Sequence, residues 1–253
     1  MLGVSLRYVS MIAVVLACAS SACLRRPEPE RTTLRLAAQT FANSENTVRL
    51  SWVEVTAPPP MLAANDWIRE CAYGSRSESP AAAADFARAA LAQPVADKSK
   101  AATPVARRIE RTINVVYQSK KQVSFACTQT ESAGGVATAR TFYASFRMAD
   151  GKRLELEDLL QPGGLPALLS AGESALRKAR RIPVNRELAQ VGLVFPNGRF
   201  ALTTNFCLTA RGMVFHYNPG ELGNAQTEAV EVVISPLEIR PLLRPGAAYL
   251  VDR

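Results

Sequence analysis

The sequence predicts an α+β protein, built on a mainly antiparallel sheet with inserted helices. Three observations predict it. Apolar residues alternate with polar ones in consecutive stretches between residues 112 and 148, and turn-forming residues rather than helices separate them. Helical periodicity is confined to a few inserted segments, clearest at 165–181. The 253 residues are 48% apolar and 21% charged, enough to bury a substantial core and unlike a disordered chain.

The elements follow in order. "TTLRLAA" (32–38) and "NTVRLSWVEV" (46–55) read as strands, and Pro58 to Pro60 end the second because proline cannot donate to a ladder. A short helix is expected over 62–72 around Trp67 and Ile68. A second starts at Ser79-Pro80, with Ser79 as cap, and stops before Pro94. "VADKSKAATP" (95–104) reads as a linker.

"TINVVYQS" (112–119), "KQVSFACTQT" (121–130) and "ATARTFYASFRM" (137–148) are then three strands, with a tight turn at Ser119–Lys121 and a looser one at Gly134-Gly135. "LELEDLL" (154–160) leads into the 165–181 helix, whose apolar stripe is Leu165, Leu168, Leu169, Gly172, Leu176 and Ala179. "VGLVFPNGRFALTTNFCLT" (191–209), "GMVFHYN" (212–218) and "EAVEVVIS" (228–235) give further strands, and "PLEIRPLL" (236–243) a last short helix. The expected organisation is a signal peptide (1–17), a tether (18–31), an N-terminal α+β segment (32–104) and a C-terminal domain (105–253).

The N-terminus indicates export. Arg7 precedes the apolar run "YVSMIAVVLA" (8–17), which is too short to span a bilayer and has the length of a secretory core. "ACASSAC" (17–23) follows and resembles a bacterial lipoprotein signal, with Cys18 as the expected lipid acceptor and Cys23 the alternative. The expected location is the bacterial cell envelope, membrane-anchored and facing the periplasm or exterior. Export removes nucleic acid as a partner despite the net charge of +8, and leaves anionic wall polymer, a wall protein or lipid head groups. An oxidising compartment makes Cys71, Cys127 and Cys207 disulfide candidates.

Signatures of catalysis are sparse. The chain has no G-x-S-x-G, H-E-x-x-H, phosphate loop or C-x-x-C, and a single histidine cannot build a His-rich metal site. No cofactor, metal ligand set or catalytic residue is assigned. His216 lies in "MVFHY", where Met213, Phe215 and Tyr217 share one face and Val214 and His216 the other. The aromatic face is expected to pack inward, with His216 at the surface or in a shallow groove. Glu155, Glu157 and Asp158 cluster, and Glu155 and Glu157 share a face if that segment is extended. Arg177, Lys178, Arg180 and Arg181 end the long helix, where cations complement the macrodipole and offer a basic face to an anionic partner.

From about residue 110 the motif order resembles a known family. The carrying stretches are "VVYQSKKQVSFACTQTESAGG", "FYASFRMADGKRLELEDLL", "FCLTARGMVFHYNPGEL" and "EAVEVVISPLEIRPLL". They are similar to the extracytoplasmic DUF3298 domain of RsiV-type anti-sigma factors and some peptidoglycan deacetylases, a domain often preceded by a DUF4163 (PdaC-type) segment. The resemblance implies a strand and turn at Phe215, Tyr217, Asn218 and Pro219, and no catalytic role for His216. "GGVATA" (134–139) lacks a histidine often found there in relatives, so a ligand role tied to it is not carried over. Only seven residues precede the apolar run, so no anti-sigma domain is expected, and a single histidine does not furnish a deacetylase centre. The expectation is a non-enzymatic envelope lipoprotein that binds a wall-associated protein (lysozyme-like) or a glycan. The alternatives are a cryptic peptidoglycan hydrolase using His216 or the acidic cluster, and a purely structural lipoprotein.

Overall fold

The computed structural model describes residues 33–56, 61–92, 106–223 and 227–251. The expected signal peptide, tether and linker, with Cys18 and Cys23, lie outside the described residues. The elements are β1 (Leu34–Ala42), β2 (Thr47–Val55), α1 (Leu62–Tyr73), α2 (Pro80–Ala92), β3 (Arg107–Gln118), β4 (Gln122–Ala133), β5 (Val136–Arg147), α3 (Leu156–Leu159), α4 (Gly164–Arg180), β6 (Phe206–Thr209), β7 (Gly212–Tyr217), β8 (Val230–Ile234), α5 (Pro236–Ile239) and α6 (Pro245–Ala248). They form an α+β fold with one sheet of order β1-β2-β3-β4-β5 and a second of order β6-β7-β8. Strand β2 pairs antiparallel with β1 but parallel with β3. A parallel neighbour requires a crossover rather than a turn, and α1 and α2 lie in that crossover.

Two compact units share the chain. One holds the described residues up to Asn114, with Cys127–Thr138 and Asp150–Lys152; the other holds Val115–Ala126, Ala139–Ala149 and the described residues from Arg153 onward. In the first, Val48, Leu50 and Trp52 on alternate β2 positions are buried with Ile68 of α1 and Ala87 of α2. Trp52 meets Tyr73 edge-on, with ring centroids 5.9 Å apart. The side chain of Asn65 imitates a strand, accepting from the Val55 amide at 2.9 Å and donating to the Val55 carbonyl at 3.0 Å. It thereby fixes α1 to the end of β2.

In the second unit α4 lies against β8, and its Leu168 and Leu176 join Met213, Phe215, Val232 and Ile234 in one core. Gly172 lets the helix approach closely there, since a Cβ would lie 3.0 Å from the Leu202 side chain and 3.1 Å from that of Phe200, and both would have to give by a few tenths of an ångström. The stripe of α4 differs from expectation at its ends: Leu165 is 49% exposed and Ala179 is exposed, while Ala171 and Ala175 pack on the core.

Three further expectations are corrected. Gly134-Gly135 is a two-residue turn with both φ positive, the geometry that matches strand twist, rather than a looser connection. "LELEDLL" turns helical at Leu156, so Glu155 and Glu157 do not lie on one extended strand. Of residues 191–209 only Phe206–Thr209 form a strand; 3-10 turns occupy Leu188–Val191 and Pro196–Gly198. Gly192, Asn197 and Gly198 all take positive φ there, which interrupts any ladder. Phe195, Phe200 and Leu202 still pack on the core, so the alternation recorded burial in an irregular segment.

Candidate functional site

All six residues of β7 are buried, so both its faces are covered. Phe215 and Tyr217 face the core as expected, but His216 is only 7% exposed and does not stand at the surface. Within the same unit the β5 residue Tyr143 closes over it edge-on, with ring centroids 5.4 Å apart. Register places His216 opposite Glu231 of β8 and Cys207 of β6 opposite Val214. Cross-strand partners project to the same side of a sheet, so Cys207, His216 and Glu231 share a face.

This face carries a coupled group of charges. Arg211 donates to Glu231 Oε2 at 3.4 Å and the Tyr143 hydroxyl to Glu231 Oε1 at 3.3 Å. His216 Nδ1 lies 3.7 Å from Glu231 Oε1 and makes no hydrogen bond. That gap exceeds hydrogen-bond length, so the attraction is that of an ion pair formed when the imidazole is protonated. His216 is the first cause holding the Glu231 carboxyl below its ordinary range, with Arg211 adding to it against the penalty of burial. Burial, then the Glu231 charge, pushes the Cys207 thiol up to about 12, and the same two causes raise the Tyr143 hydroxyl to about 12. A nucleophilic cysteine needs the opposite, a lowered thiol in an accessible, electropositive setting. Cys207, at 1% exposure, has neither condition.

The acidic cluster serves another neighbourhood. Glu155 pairs with Arg153 at 3.1 Å, and Glu157 and Asp158 sit in the first turn of α3. Among the described residues no group of three or more His, Cys, Asp or Glu has a metal-holding arrangement.

The four cations of α4 divide by role. Arg177 pairs with Glu173 at 2.7 Å and donates to the carbonyls of Pro183 and Arg186, at 3.1 and 2.8 Å, tying down the segment after the helix. Arg180 reaches the Ala229 carbonyl at 3.4 Å. Arg181 takes a left-handed conformation, φ 54°, and terminates α4. An open depression of about 610 Å³ lies beside this end, lined by Ser170, Ser174, Lys178 and Arg181 among others.

Of the three described cysteines, Cys71 on α1 and Cys127 on β4 are neighbours in the first unit, Gln129 reaching the carbonyl of one at 3.4 Å and the sulfur of the other at 3.8 Å, whereas Cys207 lies in the second. All three are thiols in this structure.

Sequence reasoning missed the polar side chains that hold this face together. Asn205 accepts from the Tyr143 amide at 2.7 Å and donates to the carbonyls of Thr141 and His216, at 2.7 and 3.1 Å. Asn218 accepts from the Thr141 amide at 2.6 Å and is itself held by Glu221. These amides satisfy the edge of β5 where a strand would otherwise pair. Ser124 and Ser145 lie 2.7 Å apart, and both engage the backbone of Leu208 in β6. Only "Y-N-P" signalled any of them, as a turn.

The motif carrying the resemblance is thus accounted for by structure. The Thr209 hydroxyl bonds the Gly212 carbonyl and the Arg211 amide across the β6–β7 turn. A Cβ on Gly212, at φ 114°, would overlap the Ile234 carbonyl. Phe215 is wholly buried, the Tyr217 hydroxyl donates to Ala201, and Asn218 caps β5.

Residues 157–235 match the family model "Protein of unknown function (DUF3298)". No curated protein matches the chain in sequence. A crystal structure of a DUF3298 family member from Bacteroides fragilis is similar with a TM-score of 0.72 at 16% identity, covering 88% of this chain and 99% of that one. A DUF3298 family protein from Pseudomonas aeruginosa is similar with a TM-score of 0.64 at 15% identity, covering 86% and 97%. The chain therefore carries a DUF3298 segment at residues 157–235, within the fold that solved proteins of that family adopt.

Proposed function

We propose that this chain is a non-enzymatic lipoprotein of the bacterial cell envelope that binds an anionic wall component through the exposed end of α4. The observation that carries this reading is the division of chemistry over the second unit. Its one histidine is buried against Tyr143 and Glu231, while Lys178 and Arg181 border an open depression. An open, cation-rimmed depression suits an anionic polymer, and the net charge of +8 favours such a partner over a basic protein. The signal-like N-terminus supports a lipid anchor at Cys18, with Cys23 the alternative acceptor. Removal of residues 1–17 takes away Arg7 alone, so the mature chain keeps a charge of +7.

The test is retention of the purified mature chain on isolated anionic wall glycan at low salt, with a lysozyme-like protein as competing ligand. Lys178→Glu with Arg181→Glu should weaken retention about tenfold, the effect of roughly 1–2 kcal/mol from two exposed charges reversed. Equal retention of wild type and variant overturns the assignment to α4. Cleavage of wall fragments by wild type, abolished in a folded His216→Gln variant, replaces it with the hydrolase reading.

A further inference from the structure

The last four carbonyls of a helix have no partner within it. In α1 one of them, that of Cys71, is taken by two side chains from neighbouring strands. Arg111 of β3 donates to it at 3.2 Å and Gln129 of β4 at 3.4 Å. Arg111 is braced in turn by Phe86 of α2, its guanidinium carbon lying 4.2 Å from the ring centroid. The Gln129 amide that bonds the Cys71 carbonyl also approaches the Cys127 sulfur, at 3.8 Å. One set of caps therefore holds the end of α1 against β4, and the single Gln129 nitrogen that reaches both residues makes Cys71 and Cys127 neighbours, close enough to shift each other's thiols. Cys127 is fully buried and Cys71 half-buried.

We propose that Cys71 and Cys127 are a redox pair, closing to a disulfide that fastens the end of α1 to β4 when the chain meets a small disulfide oxidant, while Cys207 remains a thiol. The half-buried Cys71 exchanges first: its sulfur bonds to one sulfur of the oxidant, and the oxidant's other sulfur leaves as a thiol. Cys127 then attacks Cys71 Sγ, the new S–S bond forms, and the second oxidant sulfur departs as a thiolate and takes up a proton. The protein loses two electrons and two protons, and the oxidant's disulfide becomes two thiols. Exposure sets the order of the two, since the neighbouring Cys127 and burial push the Cys71 thiol up; the contact itself suits the second step. Hydrogen bonds from Cys71 and Gln129 and the charge of Arg111 hold the Cys127 thiol below its ordinary value, which favours the resolving thiolate. Cys207 lacks a partner thiol in its unit, and burial holds it protonated.

The pair rests on this geometry; meeting such an oxidant in the cell rests on the proposed export, and the two are tested apart. The full chain, purified reduced, is incubated with oxidised glutathione, acid-quenched, alkylated in denaturant and peptide-mapped. The expected result is a Cys71–Cys127 linked peptide, Cys207 recovered alkylated, and a thermal midpoint roughly 5–10 °C above that of the reduced chain. Cys127→Ser should instead trap glutathione on Cys71. Linkage through Cys207, or alkylation of both Cys71 and Cys127 after oxidation of the wild type, overturns the proposal whatever the variant does. The same mapping on protein taken directly from expressing cells then bears on export alone. A pair that closes in the tube but is reduced in the cell supports the pair and refutes export.

Discussion

At the scale of the residue, burial rather than chemistry sets what His216 does. It is held between the Tyr143 ring and the Glu231 carboxylate. His216→Gln should cost about 1–2 kcal/mol of stability through lost ring contact and a buried amide, more than a surface position allows. The same substitution removes the first cause of the lowered Glu231 carboxyl. A carboxyl whose folded value lies below its ordinary 4.5 adds stability that is complete above that value and lost as pH falls below it. Denaturant midpoints of the wild type should therefore fall more steeply below pH 4.5 than those of His216→Gln. Parallel curves would show that the pair is not coupled. Phe215→Ala, one position away on the core face, should cost about 3–5 kcal/mol by emptying a fully buried site. The sequence told these faces apart by alternation. It could not tell that the second face is covered, because Tyr143 lies 73 positions upstream and nothing in "MVFHY" refers to it.

At the scale of the element, the second unit depends on two kinds of fixed point. Gly212 must lack a Cβ, since one would overlap the Ile234 carbonyl across the β7–β8 ladder. Gly212→Ala is expected to destabilise by more than about 3 kcal/mol, from left-handed strain together with that overlap. Asn218 supplies the other point. Removing its side chain leaves the Thr141 amide without this acceptor, so Asn218→Ala should cost about 2–3 kcal/mol and speed hydrogen exchange at Thr141 first. Unchanged exchange there would show that the cap is dispensable. Most elements were legible because propensity, period and punctuation agreed, as at Ser79-Pro80 opening α2 and Ser235-Pro236 opening α5, where Ser235 and Glu238 form a capping box. The stretch 191–205 was not. Its apolar residues reach the core from an irregular path, which period alone cannot distinguish from a strand.

At the scale of the whole molecule, buried acids should dominate the alkaline behaviour. The Cys207 thiol and the Tyr143 hydroxyl are raised from ordinary values of 9.0 and 10.0 to about 12 each. Raised groups keep their full contribution below the unfolded values and lose it as pH climbs through the folded ones. Stability should accordingly decline between pH 9 and 12, and Tyr143→Phe with Cys207→Ala should flatten that decline. In native protein at pH 8, Cys207 should resist alkylation that proceeds readily after denaturation; rapid native labelling would contradict its burial.

The sequence by itself determined the α+β class, the order of nearly all elements, the inward face of β7 and the DUF3298 resemblance, because each follows from local period, turn chemistry or motif order. Tertiary structure alone decided that β2 and β3 run parallel and that the 191–205 stretch packs without a ladder. It also decided that His216 is enclosed and that Cys71 meets Cys127. These depend on which distant segments become neighbours, and the free energy of such meetings is shared among residues far apart in the chain. No short stretch of sequence records it.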